Sequence, residues 1–253
     1  MLSVFLAIVF ATIMGYVYGK LMNAVKGSEM AIATYTGFAI TSLFCILWLI
    51  LPFSDPRMTW LLGGGAGLRQ TILLDVVGSA QILDNVLSFK FSGVTFPTGM
   101  LLVFFIGCFF IWLFMRSKTG IAISACGANP VFASAAGLDV DRSRIIANIV
   151  STVLGALGII VYGQSFGFSQ LYNDPLYMAF PAVAGVLIGG ASVRRARVIH
   201  VLIGCLLFQG LMATSMPVAN TLFAGTDLSE TIRMIVQNGV ILYALAQVTG
   251  GKK

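Results

Sequence analysis

The chain alternates long apolar stretches with short polar interruptions. Leu2–Tyr18, Met30–Pro52, Pro97–Met115, Ile145–Gly163, Leu176–Val193, Val198–Met216 and Thr231–Val248 are each free or nearly free of charge. A membrane-crossing helix needs about 20 mostly apolar residues, because the hydrocarbon core is roughly 30 Å thick. Seven such stretches predict an all-α fold, a polytopic helical bundle with about seven transmembrane helices. The fifth stretch contains Pro181, Gly185, Gly189 and Gly190, so a full crossing and a re-entrant hairpin both stay open. The three arginines just after it favour a crossing. Gly15-x-x-x-Gly19 and Gly185-x-x-x-Gly189 both suit close approach of helix backbones.

Composition agrees with the pattern. Hydrophobic residues make up 58% of the 253 and charged ones 9%, against roughly 25% charged in soluble domains. The first stretch lacks a basic leader and an A-x-A cleavage signal, so it reads as a span. The net charge of +6 is spread between the spans, and no basic patch for nucleic acid is present. Eleven of the 15 Lys and Arg fall on one side if the first helix runs from outside to inside. These are Lys20, Lys26, Arg116, Lys118, Arg142, Arg144, Arg194, Arg195, Arg197, Lys252 and Lys253. The positive-inside rule then sets an external N-terminus and a cytoplasmic C-terminus. Residues 1–253 are expected to form a single transmembrane domain, with an external loop at about 54–96 and a cytoplasmic loop at about 116–144. Within the external loop, Thr71–Phe89 mixes aliphatic with acidic residues and is expected to form an amphipathic surface helix. Trp48 and Trp60 bracket the outer interface, and Trp112 sits one turn before the inner Arg116.

Enzyme signatures are missing. His200 is the single histidine, and a packed or interfacial role fits it better than that of a base. Cys45, Cys108, Cys126 and Cys205 have neither disulfide nor metal spacing, so no catalytic residue, metal or cofactor is expected. No phosphate-binding loop is present, so active transport would need a borrowed ATPase. Span interiors lack buried carboxylates, which argues against an ion-coupled carrier. They carry uncharged polar groups instead: Asn148, Ser151 and Thr152 in the fourth span, Gln209 in the sixth, Gln237 and Asn238 in the seventh. Together with Arg233 near the external mouth, these are candidates for a translocation path. Hydrogen bonding between helices is an equal reading for the amides and hydroxyls. Asp227 and Glu230 suit a capping box at the start of the seventh span.

The cytoplasmic loop carries the sharpest motif. Asn129 suits an N-cap, Pro130 the first helical turn and Gly137 the left-handed residue beyond a helix end. The spacing predicts a short helix over Pro130–Ala136, with alanines, Ala133 and Ala136 among them, on its outer face and Phe132 as one large apolar knob. Such an element suits docking on a partner.

The run Gly127-Ala-Asn129-Pro130-Val-Phe132-Ala133-Ser-Ala-Ala136-Gly137, followed by a span, resembles the cytoplasmic loop of ribose-type ABC permeases. That superfamily also includes branched-chain amino-acid and nucleoside permeases. The likeness continues through Ser151-Thr-Val-Leu-Gly155-Ala-Leu-Gly158 and through Phe180-Pro-Ala-Val-Ala-Gly-Val-Leu-Ile-Gly189-Gly190-Ala-Ser192. It implies a multi-pass permease of the bacterial plasma (inner) membrane that moves a small polar solute inward, a monosaccharide first, then a nucleoside or a branched-chain amino acid. It also implies partners: ABC ATPase subunits, a second permease copy or homologue, an external solute-binding protein and the lipid bilayer. Gly127, Asn129, Pro130, Phe132, Ala133, Ala136 and Gly137 become the ATPase-coupling residues. The family's Gly-Ile-Asp-Leu-Ser-type element is missing from the start, so the chain is expected to be a member shortened at its N-terminus. A secondary carrier and a non-transporting scaffold are the rival readings from other classes.

Overall fold

The computed structural model describes residues 2–50, 71–74, 89–91, 94–96, 98–171, 179–191, 196–222, 235–243 and 246. Helix dominates these residues, and each of the seven apolar stretches contains it. The elements in chain order are α1 (Leu2–Ala24), α2 (Glu29–Ile50), β1 (Thr71–Leu73), β2 (Phe89–Phe91), β3 (Val94–Phe96), α3 (Thr98–Arg116), α4 (Lys118–Ala128), α5 (Pro130–Ala135), α6 (Val140–Phe166), β4 (Phe168–Gln170), α7 (Ala179–Ile188) and α8 (Val198–Leu222). Residues 235–243 form α9. Five helices among the described residues are long and apolar enough to cross a membrane: Ser3–Ala24, Ala31–Trp48, Thr98–Arg116, Val140–Ser165 and Val198–Ser215. Backbone hydrogen bonds close within each helix, which is why helices tolerate hydrocarbon. Their side chains are mostly exposed, as expected of an apolar surface meant for lipid or neighbouring subunits.

Contacts divide the chain into two compact units, Met1–Asp174 and Pro175–Lys253. In the first, α1 packs antiparallel along α6 through the predicted glycine pair. A Cβ added at Gly15 would lie 2.8 Å from the Ile149 Cα, and one at Gly19 would lie 3.0 Å from the Ile145 Cα. The backbones touch, as the four-residue spacing of small residues allows. Farther along the same seam, Asn23 Nδ2 donates to the Asp141 carbonyl at 2.8 Å. Near the other end of α2, the Phe10 and Phe44 rings meet edge to face with centroids 6.3 Å apart.

The expected surface helix over Thr71–Phe89 is not what the described part forms. Thr71–Leu73 is a strand, paired antiparallel with β4 in the register Thr71–Gln170, Ile72–Ser169, Leu73–Phe168. The β-branched Thr71 and Ile72 suit extended backbone, and Gly167 at φ +75° ends α6 so that the chain turns into β4. β2 and β3 form a second short antiparallel pair. Residues 75–88, the glycine cluster at 63–67, Trp60, and the Asp227–Arg233 cap lie outside the described residues.

In the second unit α7 packs antiparallel on α8. A Cβ at Gly189 would collide with the His200 carbonyl oxygen, and one at Gly204 with the Gly185 carbonyl. Ala184 and Phe208 form a small buried cluster, with Leu187, Ile188, Met212, Val240 and Ile241 packed around it. α7 stops early. Gly190 adopts φ +92°, and Gly190 N–H and Ala191 N–H donate back to Leu187 and Val186 carbonyls at 3.0 and 3.3 Å, the hydrogen bonds of a Schellman end. At about 1.5 Å per residue, its ten residues reach about half the hydrocarbon thickness.

Candidate functional site

The site is built where α3 gives way to three helices in quick succession. Trp112 carries Arg116 over its ring at 4.1 Å and stacks on Phe109, an aromatic–cation arrangement suited to a membrane interface. Ser117 then caps α4, its hydroxyl accepting from Gly120 N–H at 3.3 Å. Only glycine fits at 120, since a Cβ would press on Met115 at 2.6 Å from its Cα. Sequence reasoning left Lys118–Ala128 as loop. Ser117 was the available signal, a cap residue just before a run of good helix formers.

Asn129 ends α4 and begins α5. Its Oδ1 accepts from Phe132 N–H at 3.0 Å, and Pro130 occupies the first turn, as the sequence predicted. The other end closes one residue earlier than expected. Ala136 is the C-cap, Gly137 adopts φ +81°, and Gly137 N–H and Leu138 N–H donate to Ser134 and Ala133 carbonyls, both at 3.0 Å. This is again a Schellman end. Asp139 immediately caps α6 by accepting from Arg142 N–H at 2.9 Å. α6 therefore starts five residues before the predicted span and carries Arg142, Arg144 and Asn148 on it.

The faces of α5 require one correction. Ala133 does not lie on the outer face; it is 1% exposed. A six-residue helix presents a single inward position, and the smallest side chain takes it. Val131 at 78% and Phe132 at 72% exposure stand outward instead, with Ala136 and Gly127 also exposed. Beside them the turn between α1 and α2 folds against the foot of α6. Lys26 Nζ lies 2.7 Å from Asp141 Oδ1, and Arg144 Nη1 donates to Glu29 Oε1 at 3.0 Å. An open groove of about 640 Å3 runs between that turn and α5, lined by Lys26, Glu29, Pro130, Val131 and Ser134. One end of the first unit thus gathers Lys26, Arg142, Arg144 and the exposed apolar knob.

The polar candidates for a path divide between the units. Asn148 Nδ2 donates to the Arg144 carbonyl at 3.1 Å within its own helix, and Thr152 Oγ1 donates to the Asn148 carbonyl at 2.8 Å. Ser151 is exposed on α6. In the second unit Gln209 and Asn238 are exposed and Gln237 is half-buried. Arg233 lies outside the described residues. Among the described residues no cluster of His, Cys, Asp and Glu is arranged to hold a metal.

Several apolar helices of membrane-crossing length are those of a multi-pass membrane protein. The chain belongs to the family described as branched-chain amino acid transport system / permease component, whose model matches residues 1–245. Over 85 residues it is 34% identical to the xylose/arabinose import permease protein XylH of Sulfolobus acidocaldarius, covering 34% of this chain and 24% of that protein. Over 157 residues it is 29% identical to the probable branched-chain amino acid transport permease protein LivH of Methanocaldococcus jannaschii, covering 56% of this chain and 49% of that protein. The chain therefore aligns with half or less of the length of these curated relatives. No solved structure matches it.

Proposed function

We propose that the chain is the membrane subunit of an ABC importer, moving a monosaccharide inward across its cell's plasma membrane at the expense of ATP hydrolysed by a partner. α5 is the coupling helix in this reading. The observation that carries it is the outward Val131–Phe132 pair on a helix fixed at both ends and set among basic residues. Phe132 supplies the kind of apolar anchor that dominates docking energy. Gly127, Asn129, Pro130, Ala136 and Gly137 shape and present that anchor, and Ala133 seats the helix on its own chain. A second permease copy, two ATPase subunits and an external binding protein complete the assembly. Asn148, Ser151, Gln209, Arg233, Gln237 and Asn238 remain the candidates for polar contacts along the path.

The likeness to a probable branched-chain amino acid transport permease favours a second solute class. Uptake into cells expressing the transporter decides between them, using labelled xylose, uridine and leucine in turn. Xylose uptake that stops on ATP depletion and survives a protonophore supports the proposal. Leucine or uridine uptake in place of xylose changes the solute but keeps the mechanism. Uptake that collapses with the protonophore while ATP is maintained overturns the ABC reading in favour of an ion-coupled carrier.

A further inference from the structure

A coupling helix transmits force only through what it is attached to, and the structure supplies the attachments. α5 is joined to α6 by the four residues Ala136, Gly137, Leu138 and Asp139, and this link is tied on both sides. Leu138 N–H and Gly137 N–H bond back into α5 at 3.0 Å, and Asp139 bonds forward to Arg142 N–H at 2.9 Å. With Ala133 buried beneath, α5 and the first turn of α6 form one piece. α1 is locked to α6 by the glycine seam, by Asn23 on the Asp141 carbonyl and by Lys26 on the Asp141 carboxylate. α2 is different. Among the described residues it does not pack along α6 as α1 does, and its first turn reaches α6 through the Arg144–Glu29 ion pair, 3.0 Å long and 36% and 41% exposed.

From this arrangement we infer that Glu29 and Arg144 are positioning residues for transport: their ion pair hands the displacement of α5 on to α2. The inference rests on the coupling role proposed for α5. Arg144 suits the task because a planar guanidinium holds a carboxylate in a fixed geometry that lysine does not. Lys26–Asp141 holds the α1–α2 turn beside the same foot of α6, so the two ion pairs straddle the turn. Without Glu29–Arg144, α2 would follow α5 less directly, through the turn at Val25–Ser28 and its contact with α1 at Phe10–Phe44.

The test uses the full transporter with its ATPase in native membranes, and measures labelled xylose moved per ATP hydrolysed. Glu29→Gln and Arg144→Gln are each expected to lower that ratio by about threefold to fivefold, the range a partly exposed ion pair supports, while the ATPase still co-purifies. The exchange variant Glu29→Arg/Arg144→Glu is expected to restore it. A second measurement needs no solute. In a background with Cys45, Cys108, Cys126 and Cys205 replaced by serine, Glu29→Cys/Arg144→Cys is treated with a short bismaleimide. Because these substitutions remove the ion pair, its cross-linking yield is expected to differ between nucleotide-free and ATP-bound transporter, α2 no longer being tied to α6. A wild-type ratio in both glutamine variants, a failed restoration, or a yield that is the same with and without nucleotide overturns the inference. Phe132→Ala is measured alongside: if it retains the ATPase at wild-type strength, the coupling reading itself fails, whereas ATPase loss there with a wild-type ratio in Glu29→Gln removes only the role of the ion pair.

Discussion

Gly15 of α1 faces the backbone of Ile149 on α6, with room for a hydrogen and not for a methyl group: a Cβ would stand 2.8 Å from the Ile149 Cα and 3.1 Å from Thr152 Oγ1. Backbone on one side cannot swing away as a flexible side chain would. Gly15→Leu is therefore expected to force α1 and α6 apart and to cost about 1–3 kcal/mol, the usual range for overpacking. Gly37→Ala on α2 is the control, because nothing lies within 4 Å of a Cβ there. Thermal melting of the detergent-purified protein checks the pair. Equal melting temperatures for the Gly15→Leu variant and wild type would contradict the seam.

Asn129 holds the start of α5 through one side-chain bond. Replacing an N-cap by alanine costs about 0.5–2 kcal/mol, so Asn129→Ala is expected to loosen α5 without unfolding the chain. Amide hydrogen exchange across Phe132–Ala136 should then quicken by up to about tenfold, which corresponds to about 1.4 kcal/mol of lost local stability. Asn129→Asp retains an accepting oxygen and is expected to exchange like wild type. Unchanged exchange in Asn129→Ala would remove the capping role.

Ala133 on α5 and Ala136 at its C-cap, three residues on, are expected to respond to arginine in opposite ways. Ala133 is 1% exposed, and burying an unpaired charge there costs several kcal/mol. Ala133→Arg should lower the yield of folded protein. Ala136 is exposed, so Ala136→Arg should leave folding within about 0.5 kcal/mol of wild type and still prevent the ATPase from co-purifying. Phe132→Ala should do the same by removing the anchor. Folding is read by gel filtration of the detergent extract, and docking by pull-down of the ATPase. A well-folded Ala133→Arg protein with normal docking contradicts this division of faces.

By the positive-inside rule, α5 is expected to face the cytoplasm and the N-terminus the outside. On a cysteine-free background, Ser134→Cys should resist an impermeant maleimide in intact cells and react in inverted vesicles. Ser3→Cys should do the reverse. Labelling of the Ser134→Cys variant from outside would invert the topology.

What could be read from the sequence was whatever depends on neighbours in the chain. The apolar stretches, the glycine pairs, and the Asn129, Pro130 and Gly137 signals all act within one or two helical turns. Five of the seven stretches appear as helices of membrane-crossing length and Leu176–Val193 as a shorter one, and the glycine and cap signals appear as expected. The inward turn of Ala133 escaped because six residues are too few to display a period. β1 escaped because its partner, β4, lies about a hundred residues away and supplies the hydrogen bonds that make Thr71–Leu73 extended. The Lys26–Asp141 and Glu29–Arg144 pairs were hidden for the same reason. Each joins residues more than a hundred apart, and charge counting saw only that Lys26, Arg142 and Arg144 belong to one side.

The glycine seam also has a mechanical consequence. Two helices whose backbones meet without intervening side chains behave as one strut of greater thickness, and stiffness against bending rises steeply with thickness. Sliding by a turn is blocked as well, because it would bring the Ala11 methyl or the Asn23 amide into the space that Gly15 or Gly19 leaves free. A push delivered at the Asp139–Asp141 foot would therefore move α1 and α6 as one rigid body, and would be carried to Leu2 and Phe166 at the other end of the seam.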